Sequence, residues 1–306
     1  MGADYEVYKI ELISRCRDYG KSFSGAIDTE TGEGHVFLRE QEDLNLLNPT
    51  LASFIPRHNR HKWFRSMLSS QALAVSALGT MAQRRELPLL SELQCDDSLM
   101  LAPEKLDFHL KAFEFTPKWL EMGKRKSQID AYAESPRWRL AIECKLTEPD
   151  VGHCQMSKDG EPQTAYDELP GYKFCNRVMY NGAAYWRYWP EISHLPLPEA
   201  CADDCPMHRT YQLARNVICA GIDQETGGFD GRGTALLLYD ERNPSFQVNG
   251  DGLRSYETLK KALKDTSMLR SATWQSLAGL LVVSGGYEDL LLFLKEKYGI
   301  QPREPE

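Results

Sequence analysis

The sequence lacks a hydrophobic run long enough to span a bilayer, since its longest apolar segment, 277–284, is far shorter than the ~18 residues that a spanning helix needs. Residues 1–16 mix charges of both signs and contain no apolar core of a signal peptide. A myristoylation signal is incomplete as well, because Glu6 stands where that signal has Ser or Thr. These absences predict a cytoplasmic protein whose 8 cysteines are reduced thiols.

A nucleotide-binding glycine loop is also missing. The glycine-rich stretch 225–233 is not followed by the Lys-Ser/Thr pair of a Walker motif, which argues against ATP-driven translocation by this chain. The sequence contains no repeat of fixed period and no low-complexity tract. With 306 residues, 42% of them hydrophobic and 26% charged, the composition is that of a globular protein with one large domain or two modest ones.

The order of apolar patterns predicts an α/β protein with a mixed central sheet flanked by helices. Ser135 and Pro136 mark a hairpin turn between two of the predicted strands. The polar stretch 147–170 and the proline-punctuated stretch 189–207 are expected to be irregular. The predicted elements are a helix over 61–83, strands over 106–115, 127–133 and 138–146, a helix over 208–222, a strand over 234–239, and two or three helices between residue 252 and a free tail at 301–306.

Two carboxylates and one ammonium are expected to meet on the surface of this sheet. Side chains alternate along a strand, so Glu143 and Lys145 face the same way and Cys144 faces the core. The hairpin brings Asp130 of the preceding strand near Glu143 on that face. Such a group suits a hard divalent ion, which binds oxygen ligands and activates water beside a phosphate. The alternative is a solvated hairpin face of mixed charge without chemistry.

These residues resemble the PD-(D/E)XK, or restriction-endonuclease-like, nuclease superfamily. Asp130 matches the first acid of that motif, and Glu143-Cys144-Lys145 matches its second half. Ile129 stands in place of the proline, at a position that is often replaced in the superfamily. Four segments look like a bacterial branch of these proteins within residues 57–240, namely WFRSMLSSQALAV (63–75), FEFTPKWLEMGKRKSQIDAY (113–132), IECKLTEPDVGHC (142–154) and YQLARNVICA (211–220).

The resemblance implies a restriction-endonuclease-like core and hydrolysis of phosphodiester bonds, in DNA, with Mg²⁺ or Mn²⁺. It implies that Asp130, Glu143 and the backbone carbonyl of Cys144 bind the metal, while Lys145 acts on the attacking water. It further implies a bacterial setting of antiviral defence or DNA processing, with partner proteins. If both strands are cut, a homodimer is expected, because two sites then face the two strands with two-fold symmetry. Auxiliary roles are expected for Gln71, Glu114 and Gln212, for which packing or solvation is the alternative.

The resemblance also suggests a division of the chain. Residues 57–240 form the expected nuclease core. Residues 1–56 are expected to be an N-terminal extension packed on that core, and residues 241–306 a C-terminal helical region and tail.

The charge is acidic overall, at −8 with a pI of about 5.5, which argues against a protein that simply coats nucleic acid. Two basic stretches, 56–65 and 118–126, nevertheless predict contacts with phosphates. Such contacts position a nucleic-acid strand without reading its sequence. Trp63 and Trp119 lie beside the basic residues of these stretches and are candidates for stacking on bases. The alternative is a solvated basic face with core tryptophans. The expected nucleic-acid-binding residues are Arg57, Arg60, Lys62, Arg65, Lys124, Arg125 and Lys126.

A structural zinc site is a separate candidate, although its spacing matches no strong zinc signature and a Cys-x-x-Cys pair is missing. Cysteines without a ligand are the alternative. The candidate zinc ligands are Cys154, Cys175, Cys201, Cys205 and His208.

Two other functions compete with the nuclease. A non-catalytic nucleic-acid-binding protein could share the fold, although the intact Asp130, Glu143 and Lys145 argue against it. A structural or partner-binding protein would use its acidic surface and would need neither metal nor Lys145.

Overall fold

The computed structural model describes residues 3–102, 104–123, 126–155, 162–197 and 205–303. They surround one five-stranded sheet whose strands follow their order along the chain. The first three strands are antiparallel, and the third, fourth and fifth run parallel to one another, so the sheet is mixed, as predicted. The strands are β1 (His109–Phe115), β2 (Ile129–Glu134), β3 (Arg139–Cys144), β4 (Gly233–Tyr239) and β5 (Leu269–Thr273).

Helices cover both faces of the sheet and bury an apolar core against each face. The helix that begins at Ser70 packs on one face with Leu140 and Ile142, while the helix that begins at Tyr211 packs on the other with Ala141. The α-helices are α1 (Ala3–Gly20), α2 (Ser70–Gln83), α3 (Asn176–Asn181), α4 (Tyr185–Ile192), α5 (Tyr211–Gly221), α6 (Asp251–Ala262), α7 (Trp274–Ser284) and α8 (Glu288–Phe293), which a π-helix (Leu294–Tyr298) continues.

The strands that carry the candidate site follow the expected pattern. Ser135 closes the β2–β3 turn, where its N–H donates to the carbonyl of Trp138 at 2.8 Å. β4 reads as a continuous apolar run because a strand with parallel neighbours on both sides is buried on both faces. The predicted hairpin and buried strand are confirmed.

Three predictions about elements were wrong. Only helices were expected after residue 252, yet β5 pairs there with β4. The segment LRSAT mixes polar and apolar residues and does not indicate a strand by itself, but the edge of the sheet supplies its hydrogen-bond partners. The helix expected from residue 61 begins at Ser70, where the Ser69 side chain accepts from the N–H of Ala72. The stretch 189–207 was expected to be irregular, but α4 occupies its start.

The two ends of the chain pack against the sheet-bearing part. The Tyr8 hydroxyl of α1 donates to the carbonyl of Leu146 at 2.8 Å, and that of Tyr5 donates to the carbonyl of Thr147, so α1 lies over the segment that leaves β3. The prediction of a free tail from residue 301 was wrong for the part up to Arg303, because the N–H of Arg303 donates to the carbonyl of Gln275 at 3.0 Å. The division of the chain at residues 56 and 240 stays a prediction.

Within the described ranges, no helix is long and apolar enough to cross a bilayer.

Candidate active site

The register of the hairpin places Asp130 beside the end of β3. Ala131 pairs with Ile142 across the two strands. One step further, the backbone N–H of Cys144 donates to Asp130 Oδ2 at 2.7 Å. Asp130, Glu143 and Lys145 all line one cleft of about 950 Å³. The alternation of side chains along the strands predicts that Asp130, Glu143 and Lys145 share a face of the sheet. The structure brings these three side chains together.

Glu143 is held at the floor of the cleft, with 1% of its surface exposed. Its Oε1 accepts from Lys145 Nζ at 2.8 Å. Its Oε2 accepts from Asn216 Nδ2 at 2.9 Å and from Arg215 Nη2 at 3.2 Å. A buried charge is tolerated only when it is paired and hydrogen-bonded, and these three donors meet that need.

Lys145 is fixed through both its main chain and its side chain. Its N–H bonds to Leu238 of β4, and its carbonyl accepts from Trp274 Nε1 at 3.0 Å. The ammonium donates at 2.8 Å to Gln212 Oε1 as well as to Glu143. Burial alone would lower the pKa of Lys145, but the surrounding carboxylates, Glu143 foremost, outweigh it and raise that pKa. The side chain is thus a cation at neutral pH.

The carboxylates of the cleft repel one another in a poorly solvated place. Burial, followed by the charge of Glu143, raises the pKa of Asp130 well above its usual value. Burial also raises the pKa of Glu114 to about 7; a hydrogen bond from Gln71 opposes this rise, and Glu143 adds to it. Titratable groups perturbed by both desolvation and a charged neighbour are typical of functional sites.

Gln71 and Glu114 form the opposite side of this centre. Because α2 starts at Ser70, the Gln71 side chain leaves the first turn towards β1, where its Nε2 donates to Glu114 Oε1. Its Oε1 accepts from the N–H of His61 at 2.9 Å. Glu114 has φ of 52°, a left-handed value that non-glycine residues seldom adopt and that is concentrated at functional sites. All three predicted auxiliary residues, Gln212 included, line the cleft.

The donor set fits a hard cation in its chemistry. Asp130, Glu143 and Glu114 offer carboxylate oxygens, the ligands that Mg²⁺ and Mn²⁺ prefer. Lys145 and Arg215 compensate the charge of Glu143 in the structure, and Asn216 donates a hydrogen bond to it. Among the described residues, no three acidic, histidine or cysteine side chains are already arranged as a metal site.

A family model described as Restriction Endonuclease associating with ARP matches residues 47–299. The chain belongs to this restriction endonuclease family. The resemblance inferred from Asp130 and Glu143-Cys144-Lys145 is confirmed at the level of the family, and the α/β sheet is compatible with its core. No curated protein and no solved structure matches the chain.

Several residues of this family member that the sequence did not single out contact the centre. Arg215 and Asn216 reach Glu143, and Glu148 accepts from Ser70 Oγ at 2.6 Å and from the N–H of Leu146 at 2.7 Å. Gln212, Arg215 and Asn216 follow the i, i+3, i+4 spacing that places side chains on one helix face. That polar stripe on an otherwise apolar helix was a readable signal for them.

The predicted basic residues divide into two partly buried, ion-paired arginines and a set of exposed charges. Arg60 bonds to Glu42 and Asp43, at 2.6 Å each, and Arg65 bonds to Asp28, so both hold the cleft wall together. Arg57, Lys62 and Lys126 are exposed. Trp63 is exposed at the cleft, whereas Trp119 donates its Nε1–H to Gln224 at 2.9 Å. Lys124 and Arg125 lie outside the described residues.

The cysteine cluster does not form a metal site in the part of the chain that the structure describes. Cys154 accepts from Arg177 Nε at 3.3 Å, and its N–H bonds to the carbonyl of His208 at 2.7 Å. Cys175 and Cys205 are half-buried free thiols. Cys201 lies outside the described residues, so the candidate zinc site stays a prediction.

Proposed function

We propose that this protein is a Mg²⁺- or Mn²⁺-dependent endonuclease that hydrolyses phosphodiester bonds in DNA. The observation that carries the proposal is the meeting of Asp130, Glu143 and Lys145 in one cleft. Membership of a restriction endonuclease family supports the same reaction class. A wall of basic residues beside the carboxylates gives a polyanion a reason to enter.

Asp130, Glu143 and the Cys144 carbonyl are the proposed ligands of the metal ion. When bound there, the ion would supply positive charge for the phosphate and lower the pKa of a water molecule. Glu114 is the further carboxylate that faces the same space. Gln71 orients Glu114, and it does so from the start of a helix, a rigid element.

Lys145 is the proposed cation at the reacting phosphate. An ammonium has three N–H donors, and two of those of Lys145 bond to Glu143 and Gln212. The third can donate to a phosphate oxygen or to the attacking water. A fixed donor aimed at developing negative charge stabilises the transition state without reorganisation. Gln212 is therefore a positioning residue that sets the direction of the Lys145 side chain.

Arg215 and Asn216 position Glu143. Both reach Oε2 from consecutive positions of α5, and Arg215 Nε also bonds to Asn216 Oδ1 at 2.9 Å. The pair thereby locks one oxygen of Glu143 and leaves Lys145 on the other. We place this nuclease in a bacterial defence or DNA-processing setting. We also propose that it works with a partner, because the family description names an association with ARP.

A non-catalytic nucleic-acid-binding protein is the second candidate. The contacts of Glu143 favour it, since Lys145 and Arg215 already balance that carboxylate without a divalent ion. Such a protein would bind DNA through the basic wall and would be indifferent to metal. The two candidates differ in their response to a single neutral substitution at Glu143.

The deciding experiment measures cleavage of plasmid, linear duplex, single-stranded DNA and RNA with Mg²⁺, Mn²⁺ or EDTA. Glu143→Gln and Lys145→Ala run beside the wild type, with circular dichroism to show that each is folded. Lys105→Ala is the matched control, because Lys105 lies 2.9 Å from a glutamate oxygen, close to the 2.8 Å of Lys145, but is on the surface and does not line the cleft. Metal-dependent cutting that only the first two variants lose supports the nuclease. Binding without cutting in the wild type supports the second candidate.

A further inference from the structure

Trp63 is presented on the wall of the cleft with 51% of its surface exposed. Of the six tryptophans, all within the described residues, it alone is exposed. The turn that carries it is firmly held. The carbonyl of Trp63 accepts from the N–H of Ser66 at 2.9 Å, and the next side chain, Phe64, is fully buried. Asn45 Nδ2 donates to the carbonyls of both Phe64 and Ser66. A large indole is thus kept out of the core on a rigid support.

A second, basic pocket of about 450 Å³ adjoins the cleft along this wall. It shares Arg60, His61 and Lys62 with the cleft, and Glu42 is the one acid in its lining. Arg60 forms ion pairs with Glu42 and Asp43, which neutralise its charge. The other basic members of the pocket are Arg39 and Arg57, which are exposed, and Arg65. Arg57 lies 3.7 Å from Glu42 in a looser ion pair, and Arg65 is paired with Asp28. Lys62 Nζ lies 5.3 Å from the centre of the Trp63 ring, so the pocket's charge reaches the indole.

We propose that Trp63, together with Lys62, Arg57 and Arg39, binds unpaired nucleotides of a DNA strand that enters the cleft. The preferred substrate would then be single-stranded DNA or duplex DNA with a single-stranded flap. The choice of substrate rests on the nuclease function proposed above, whereas the binding site itself does not.

The chemistry of the wall selects an unpaired strand. Arginine and lysine contacts reach phosphates in any nucleic acid and do not distinguish a duplex from a single strand. An indole face does distinguish them, because a base within a duplex is already covered by its neighbours, while an unpaired base is free to stack. Lys62, which lies over the indole, and the arginines of the adjoining pocket would bind the phosphates next to such a base.

Binding is tested without cleavage, in EDTA, by tryptophan fluorescence with an unstructured oligothymidine and a blunt duplex of equal length. The single strand should quench wild-type fluorescence, and Trp63→Phe should remove the part of the quenching that belongs to this indole. Trp63→Ala should weaken single-strand affinity roughly ten-fold, whereas Trp63→Phe, which keeps a ring, should stay close to wild type. Arg39→Gln and Arg57→Gln should each lower the slope of log affinity against log salt by about one.

Cleavage supplies the second test. Trp63→Ala should raise KM for single-stranded and flapped DNA with little change in kcat, and should leave blunt duplex unaffected. Arg254→Gln is the control, since Arg254 is an exposed arginine of α6. Equal effects of Trp63→Ala on single strands and duplex, or none on either, overturn the inference. Quenching by single strands without cleavage under any metal condition would instead overturn the nuclease function and leave the binding site standing.

Discussion

Lys145 and Lys297 are both buried, yet their surroundings treat the ammonium in opposite ways. Lys145 lies among carboxylates at the end of β3, and they raise its pKa in spite of burial. Lys297 lies in the C-terminal π-helix and is fully buried, and burial lowers its pKa to about 7. Burial therefore does not set the charge of a lysine by itself. The neighbours decide whether the site holds a cation or expels a proton.

The surroundings of Lys297 are amide and aromatic. Its Nζ donates to the Asn45 carbonyl at 2.5 Å and to Asn45 Oδ1 at 2.7 Å. The rings of Phe293 and Tyr298 lie 4.8 and 5.0 Å away. In the described part of the chain, the titratable neighbour that acts on the pKa of Lys297 is Cys16, and no carboxylate does so. This lysine joins the C-terminal helix to the segment that supports the cleft wall, whereas Lys145 is the cation that we propose acts on the substrate.

The largest expected effect separates the two lysines by function. Lys145→Met should reduce kcat about 1,000-fold, since a preorganised charge at the reacting group is lost. Lys297→Met should keep cleavage within a few-fold of wild type, because the side chain is remote from the reacting atoms. Metal-dependent cleavage under single-turnover conditions measures both. Equal losses in the two variants would show that Lys145 serves the fold rather than the reaction.

The second contrast concerns stability. Lys297→Met removes a buried group whose lowered pKa reflects a burial cost of a few kcal/mol at about 1.4 kcal/mol per pH unit. Removing that cost raises the free energy of unfolding. Part of the increase is lost because two acceptors of Asn45 are left without their donor. We expect the free energy of unfolding at pH 6 to rise by about 2 kcal/mol, measured by urea denaturation. Lys145→Met should lower it by about 3 kcal/mol, because Glu143 loses a buried partner.

The third contrast is the pH dependence of stability. Below pH 7, Lys297 is protonated in the folded and unfolded states, and the burial cost is complete. Between pH 7 and its unfolded pKa, only the unfolded state keeps the proton, so the free energy of unfolding rises by about 1.4 kcal/mol per pH unit. Burial raises the pKa of the neighbouring Cys16 to about 12, so its thiol stays neutral throughout.

Urea denaturation of the wild type and Lys297→Met at pH 6, 7, 8 and 9 measures this dependence. The wild type should gain stability relative to the variant from pH 7 upwards. A difference that is constant over this range would mean that Lys297 stays protonated in the fold, held by the rings and the amide.

The smallest expected effect tests how far burial governs the contribution of an ion pair to stability. Lys105 and Glu92 are separated by 2.9 Å, close to the 2.8 Å between Lys145 and Glu143, but both are at least half exposed. Lys105→Ala should change the free energy of unfolding by less than about 0.5 kcal/mol, since an exposed ion pair is screened and solvated. A loss comparable with that of Lys145→Met would show that burial does not govern what such a pair contributes to stability.

The sequence allowed most of the sheet and the heart of the candidate site to be predicted, because both follow local rules. Alternation on β3 places Glu143 and Lys145 together, and the Ser135-Pro136 turn brings Asp130 to them. Arg215 was missed because its contact with Glu143 spans 72 positions of the chain. The local sequence predicts helix over residues 61–69 because no proline interrupts it, whereas contacts with Asn45 hold part of this segment in a turn.

The local sequence is enough to place Asp130, Glu143 and Lys145 on one face of the sheet, since side chains alternate along a strand. What surrounds these groups depends on contacts between distant parts of the chain. The tertiary structure placed α5 over Glu143, set β5 on the sheet edge, and exposed Trp63 while it buried Lys297. The charge and reach of a side chain depend on its neighbours in space, and a linear pattern does not specify neighbours that are distant along the chain.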